Sequence, residues 1–300
     1  MSQKPATLGQ FIRDHDYPCW CGVSAGTVFC SQTFGRRPFA ALRCPSCGTQ
    51  RLLPRVLDSQ EDASELYNNY DPPRPTEEEL QDLARHCLER LARTGIEFKK
   101  GDRVLDVGCG NGRILEAICS RFECIGHGVD ADERRVSDAK ASAKHATFET
   151  GLFDPTAYPQ PFDIVISSAV IEHVYDPVDF IRQLARVVKP GGSLFLLTPN
   201  AASLNYRILR SWWRELLSLG EHIYLFTPES LGRCGERSGL TVAGTASDFD
   251  FATPSLNFGG IRPLLLSGWS LYREACKRVC AVFAGSRRGD ILCVHFRKPA

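Results

Sequence analysis

The sequence predicts an α/β protein: a doubly wound parallel sheet filling the C-terminal two thirds of the chain, preceded by a small cysteine module. Three observations carry this. From Asp102 onward short apolar runs alternate with helical segments (RVLDVG, GRILEAICSRF, CIGHGVD, then an alanine-rich stretch), the rhythm of βαβ units. The first run ends in Asp106-Val-Gly108-Cys-Gly110-Asn-Gly112, where glycines let the backbone turn sharply and approach a ligand closely. Upstream lie two tight cysteine pairs, each followed by glycine: Cys19-Trp-Cys21-Gly22 and, 22 residues later, Cys44-Pro-Ser-Cys47-Gly48.

Bulk composition bounds the answer. A chain of 300 residues accommodates one α/β domain plus an accessory module, and 43% hydrophobic with 24% charged residues is an ordinary globular balance. Lys plus Arg number 36 against 35 for Asp plus Glu, so the basic excess that attracts phosphate backbones is missing and nucleic acid is not an expected partner. The first residues, MSQKPATLGQ, lack the apolar run of a secretory signal, which leads us to expect a cytoplasmic protein. The stretch from Ile261 to Gly285 is broken by Arg273, Glu274, Lys277 and Arg278, costly at a bilayer centre. No spanning helix is expected; an amphipathic helix over a pocket is preferred to peripheral membrane contact.

In the cysteine module (residues 1–55) the pair Cys44/Cys47 has the C-x2-C spacing of a zinc knuckle, in which a turn ending in glycine points two thiolates at one ion. The pair Cys19/Cys21 is one residue shorter, which makes Cys30 a reserve ligand. The module resembles a zinc ribbon, and four cysteines would close a tetrahedral shell, making the ion structural. A reduced, metal-free loop is the competing reading. Residues 56–100 read as a polar, proline-bearing connector and a leading helix. Thr76 before three glutamates is an N-cap with acids in the first turn, predicting a helix from 77 to about 93.

A nucleoside-type cofactor is expected at the glycine turn. The next strand ends at Asp130, where an acid can accept from both ribose hydroxyls. A pyrophosphate-binding G-x-G-x-x-G is not formed, because the third glycine comes one residue early and position 113 is arginine. That favours S-adenosylmethionine over a dinucleotide.

Three further motifs follow in order: Phe162-Asp163-Ile-Val-Ile-Ser-Ser, Val170-Ile-Glu172-His173-Val, and Lys189-Pro-Gly-Gly before SLFLLTPN. With the glycine turn they make the chain resemble the class I S-adenosylmethionine-dependent methyltransferases, notably the group of ubiquinone-biosynthesis O-methyltransferases and many natural-product and sugar enzymes. The resemblance covers about residues 100–245, with a last strand near 290. It implies a Rossmann-like seven-stranded sheet, order 3-2-1-4-5-7-6 with the last strand antiparallel, over residues 101–300. Carried over by position, Asp106, Gly108 and Gly110 belong to the cofactor turn, the glycines passing under the methionine portion. Asp130 holds the ribose, Phe153 and Asp154 contact the adenine, and Ser168 and Ala169 line the methionine end.

Methyl transfer from a sulfonium needs alignment and removal of one proton from the acceptor. His173 follows the fourth strand, and imidazole titrates near neutral pH, so it is a candidate base; shaping the loop with Glu172 is the equal alternative. His222, in the loop before the helix that Thr227 and Pro228 start, is a second candidate base or acceptor contact, against a buried structural histidine. In the ubiquinone group an acid three residues before the glutamate joins Glu and His around a divalent metal. Here that position is Ala169, which argues against a metal-assisted mechanism. Insertions at about 201–221, with Trp212 and Trp213, and 249–287 are expected to make lids for the acceptor, and Tyr67 and Tyr70 to fold over the methionine end. The expected function is methylation of an O, N or C atom of a small-molecule acceptor. The alternatives are a ribbon adaptor with an inactive domain and a methyltransferase acting on protein.

Overall fold

The computed structural model describes residues 7–34, 37–54, 77–213, 216, 222–248 and 288–300. The connector with Tyr67, Tyr70 and the Thr76 cap, and the insertion 249–287, lie outside the described residues. The leading helix begins and ends as its sequence predicts, α2 at Glu77–Arg93.

The larger sheet takes its strands from β4 (Arg103–Val107), β5 (Ile125–Asp130), β6 (Ala146–Thr150), β7 (Phe162–Ser168), β8 (Val188–Pro199), β10 (Thr241–Asp248) and β11 (Ile291–Arg297). Their order is β6-β5-β4-β7-β8-β11-β10, with β11 antiparallel to both neighbours. This is the expected 3-2-1-4-5-7-6 arrangement. Crossovers run through α3 (Arg113–Phe122), α4 (Glu133–Ser142) and α5 (Pro177–Val187), while α7 (Pro228–Arg237) leads into β10. Successive strand residues serve opposite faces. Val104 and Phe195 join one core with Leu91, Leu115 and Ile118, whereas Leu105, Leu194 and Leu196 join the other. Burial on both faces is why these strands read as continuous apolar runs, each aliphatic side chain contributing about 1.5–3 kcal/mol when fully buried.

The second sheet joins the cysteine module to the main domain. β1 (Thr27–Phe34), β2 (Arg37–Arg43) and β3 (Gln50–Leu53) form an antiparallel meander, and its fourth strand is β9 (Tyr224–Leu225), contributed from far along the chain. Gln50 pairs with Leu225 and Arg51 with Tyr224. Phe11 of helix α1 (Leu8–His15), Tyr17, Leu42 and Leu53 sit in the same core as Ile171, Ile223 and Phe226. The module therefore shares both a sheet and a core with the larger domain. Arg51, fully buried, ties it together by donating to the carbonyls of Val23 and Ser24 and pairing with Asp16.

Of the segment expected to make a lid helix, residues 214, 215 and 217–221 lie outside the described residues; before them α6 spans Leu204–Leu209, and Arg210 (φ 52°) ends it before a 3-10 turn ending at Trp212. Trp213 then turns inward, its indole N–H donating to buried Asp290, which also accepts from Ser203 and Asn205. Tyr206, Trp213 and Leu216 pack on Phe39, Ala41 and Leu52 of the ribbon sheet. The described part of this insertion fills the seam between the two sheets.

Candidate functional site

In the larger sheet the chain runs β4, β5, β6 outward, then returns to place β7 on the other side of β4. The crevice at the carboxyl ends of β4 and β7 is the switch point where ligands of such sheets bind. Two loops face each other there. The glycine loop follows β4, with Gly108, Gly110 and Gly112 at φ 79°, 54° and 74°, a left-handed run that L side chains resist. Val170, from the loop after β7, lies where a side chain on Gly108 would sit, 2.2 Å from an added Cβ. Only glycine lets the two loops close on each other.

Asp106 is buried, and its Oδ1 has no hydrogen-bond partner among the described residues. Burial, reinforced by the charge of Asp130, pushes its carboxyl up to about 7. An unpartnered buried carboxylate oxygen beside a glycine loop is a group held ready for a ligand that brings positive charge or hydrogen-bond donors. Asp130 ends β5; one of its oxygens accepts from Gly110 N–H at 2.7 Å and the other from Asp132 N–H at 2.9 Å. Helix α4 is capped by Asp132 instead, whose side chain accepts from Arg135 N–H. Each Asp130 oxygen retains accepting capacity, so this carboxylate can brace the glycine loop and still take hydroxyl donors.

The remaining cofactor candidates ring the same edge. Phe153 is half-buried and stacks on Tyr158 at 5.9 Å. Asp154 is exposed and caps the turn Pro155–Ala157 by accepting from Thr156. Ser168 ends β7. Ala169, which follows it, is exposed in the left-handed region (φ 56°), with its N–H bonded to Leu197 O at 2.9 Å.

Sequence separation hides the next feature. A 3-10 turn over Ile171–His173 carries Glu172 and His173 into the crevice, and the segment before β9 brings His222 beside them, with ring centroids 4.9 Å apart. Ligand atoms of Glu172, His173 and His222 all lie within 4.8 Å of one another. Glu172 is fully buried, accepts from Thr198 Oγ1 at 2.9 Å, and through its backbone carbonyl accepts from Ile223 N–H at 2.7 Å. The two candidate bases thus form one cluster around a fixed carboxylate. Glu172 was visible in the sequence as a loop residue beside His173; its proximity to both histidines was not. The position of Ala169 leaves this group without the acid expected of a metal-assisted site, yet His222 supplies a third donor.

All four cysteines of the ribbon converge. Cys19 and Cys47 are 3.5 Å apart, Cys21 and Cys44 3.6 Å, and all four sulfurs lie within 4.8 Å. Tetrahedral zinc with about 2.3 Å bonds needs sulfurs about 3.8 Å apart, so the donor set fits that ion. Both knuckles are closed by backbone bonds, Gly22 N–H to Cys19 O and Gly48 N–H to Cys44 O. The short C-x-C pair therefore delivers both sulfurs. Cys30, the reserve ligand, faces Tyr206 in a separate cluster. Hydrogen bonding with Cys19 lowers the Cys47 thiol and raises Cys19, the behaviour of two sulfurs sharing one proton.

The model of the methyltransferase domain family matches residues 77–244, more than half of the chain and all of the crevice just described. The chain belongs to this methyltransferase family. It is 36% identical over 126 residues to the ubiquinone biosynthesis O-methyltransferase of Caulobacter vibrioides, covering 40% of this chain and 48% of that protein. To the protein of the same name from Thiobacillus denitrificans it is 32% identical over 151 residues, 47% of this chain and 65% of that one. This methyltransferase chain thus spans about half to two thirds of those relatives. A solved S-adenosylmethionine-dependent methyltransferase from Mesorhizobium loti shares the fold, with TM-score 0.50 and 18% identity over 73% of this chain and 100% of its own.

Proposed function

We propose that the chain transfers a methyl group from S-adenosylmethionine to a small-molecule acceptor, an oxygen atom being the favoured target. The observation that carries this reading is the unpartnered, buried Oδ1 of Asp106 beside the glycine loop. When bound, S-adenosylmethionine supplies a methyl group already activated by a sulfonium. Its positive charge suits a crevice holding Asp106 and Asp130. Asp130 takes the ribose hydroxyls, Phe153 and Asp154 flank the adenine, and Ser168 and Ala169 border the methionine end beside Gly108 and Gly110. His173 or His222 removes the acceptor's proton, and Glu172 orients the pair. The names of the curated relatives favour oxygen as the accepting atom.

Cys19, Cys21, Cys44 and Cys47 hold a structural zinc in a ribbon covering residues 1–55, ahead of the connector (56–100) and the methyltransferase domain (101–300). The cysteines among the described residues are unpaired thiols, which suits a reducing cytoplasm. No helix of the described residues is long and apolar enough to cross a membrane. The near-neutral charge balance favours a metabolite over nucleic acid.

The test is transfer of label from methyl-labelled S-adenosylmethionine to a component of a small-molecule extract, read by mass spectrometry. Asp130→Ala should weaken cofactor binding about 10- to 150-fold, the loss of charge-assisted hydrogen bonds worth about 1.5–3 kcal/mol. Unchanged binding in that variant refutes the site. A second reading is favoured by the 4.8 Å convergence of Glu172, His173 and His222, which would hold a divalent ion. Turnover that depends on added Mg2+ or Mn2+ selects it.

A further inference from the structure

The segment that carries His222 bridges to Asn200 of the main domain at Phe226 and pairs with the ribbon just before it. β9 is two residues long, Tyr224–Leu225, and its antiparallel partner is β3 of the ribbon. Immediately before it, the Ile223 peptide is gripped on both sides. Its N–H donates to Glu172 O in the crevice at 2.7 Å, and its carbonyl accepts from Leu52 N–H of β3 at 3.0 Å. The buried hydroxyl of Tyr17 lies 2.8 Å from the same carbonyl and 3.2 Å from Leu52 O, where its single proton bridges the ribbon strand and the Ile223 peptide. Tyr17 itself sits two residues ahead of Cys19, and β3 begins three residues after Cys47. Cys44 N–H bonds Thr49 O, so the second knuckle leads directly into β3. On the flank, Arg233 of α7 donates to Ser46 O and Arg237 of α7 lies over Trp20.

We propose that the cysteine ribbon is a positioning element of the methyltransferase site, with Tyr17 and the Leu52–Ile223 pairing holding His222 against His173. This rests on the reading of the histidine pair given above. Among the contacts that join the two parts, Ile223 is the residue that bonds the ribbon strand through its carbonyl and the crevice through its N–H. A short strand without its partner loses its ladder bonds, and the imidazole on the adjoining residue is then free to leave the 4.9 Å contact with His173. Tyr17 acts through the Ile223 carbonyl and touches neither cofactor nor acceptor.

The test uses the full chain with Tyr17→Phe, which removes one hydroxyl and keeps the ring in its core. Two readouts apply: the ring nitrogen and proton resonances of His222 in histidine-labelled protein, and kcat beside KM for S-adenosylmethionine. The expected result is a displaced His222 resonance, kcat about tenfold lower, and KM for the cofactor within twofold of wild type. A His222 resonance and kcat both unchanged would overturn the proposal. If Tyr17→Phe does not fold, the same resonance is followed in wild-type protein as a mercurial strips metal from the ribbon. A shift supports the coupling, and an unmoved signal in metal-free, folded protein refutes it. Wild-type protein that transfers no methyl to any acceptor overturns the functional reading alone, because the resonance still reports on the coupling.

Discussion

The cysteine cluster and the glycine-loop crevice both gather acidic side chains, four thiols in one and carboxyls in the other, and they are built in opposite ways. The cluster draws its four donors from two turns, each only a few residues long, and those donors hydrogen-bond to one another. The crevice collects Asp106, Asp130, Glu172 and His222 from four segments spread over more than a hundred residues, and leaves Asp106 Oδ1 with no partner among the described residues. Local turns can satisfy their own groups, whereas a crevice at a switch point is completed from outside. The sheet that carries the cluster bonds the segment beside the crevice at Leu52 and Ile223.

The sharpest way to separate the two sites is Cys44→Ser. Structural zinc in such four-sulfur sites is bound by about 10–16 kcal/mol, so losing one ligand should lower metal content more than tenfold, measured by mass spectrometry. If zinc stays bound at wild-type level, Cys30 or another donor has replaced it and the picture of a closed local site fails.

Asp106→Asn probes the crevice through pH. The folded-state value of about 7 lies above the ordinary 3.8, so the stability this carboxyl contributes is complete below about pH 4 and is lost as pH rises through 7. Over that span the ionisable residue costs the ligand-free protein up to about 4 kcal/mol relative to a neutral one, at about 1.4 kcal/mol per pH unit. The melting temperature gained by Asp106→Asn should therefore grow between pH 5 and pH 8. For wild type, affinity for the cationic cofactor should rise over the same range. A pH-independent difference would mean that Asp106 is already paired.

Ala169→Gly has the smallest expected effect. Its φ of 56° costs an alanine about 1–2 kcal/mol that a glycine does not bear, so the variant should be stabilised by up to that amount in denaturant melts. A destabilised variant would show that the methyl group packs on something that offsets the strain.

Much of this was readable in advance wherever the physics is local. Helix α2 follows from Thr76 and the three glutamates after it, and the knuckles from cysteines beside glycines. The position of Asp130 follows from a strand ending in an acid. The inward turn of Trp213 was not readable, because a 3.6-residue apolar period does not reveal that Arg210 would break the helix or that Asp290 would collect the indole N–H. Nor was the fused sheet. A two-residue strand such as Tyr224–Leu225 carries no periodic signal, and its partner lies more than 170 residues earlier.

The sequence by itself determined the α/β class, the four sulfurs and the glycine loop. Each of those depends on residues within one turn or one βαβ unit, where covalent spacing sets geometry. Tertiary structure alone decided that His222 meets His173, that Glu172 lies beside them, and that the ribbon pairs with the strand that follows His222. Such contacts depend on how distant strands order and pack, and the free energy that fixes them comes from the shared core.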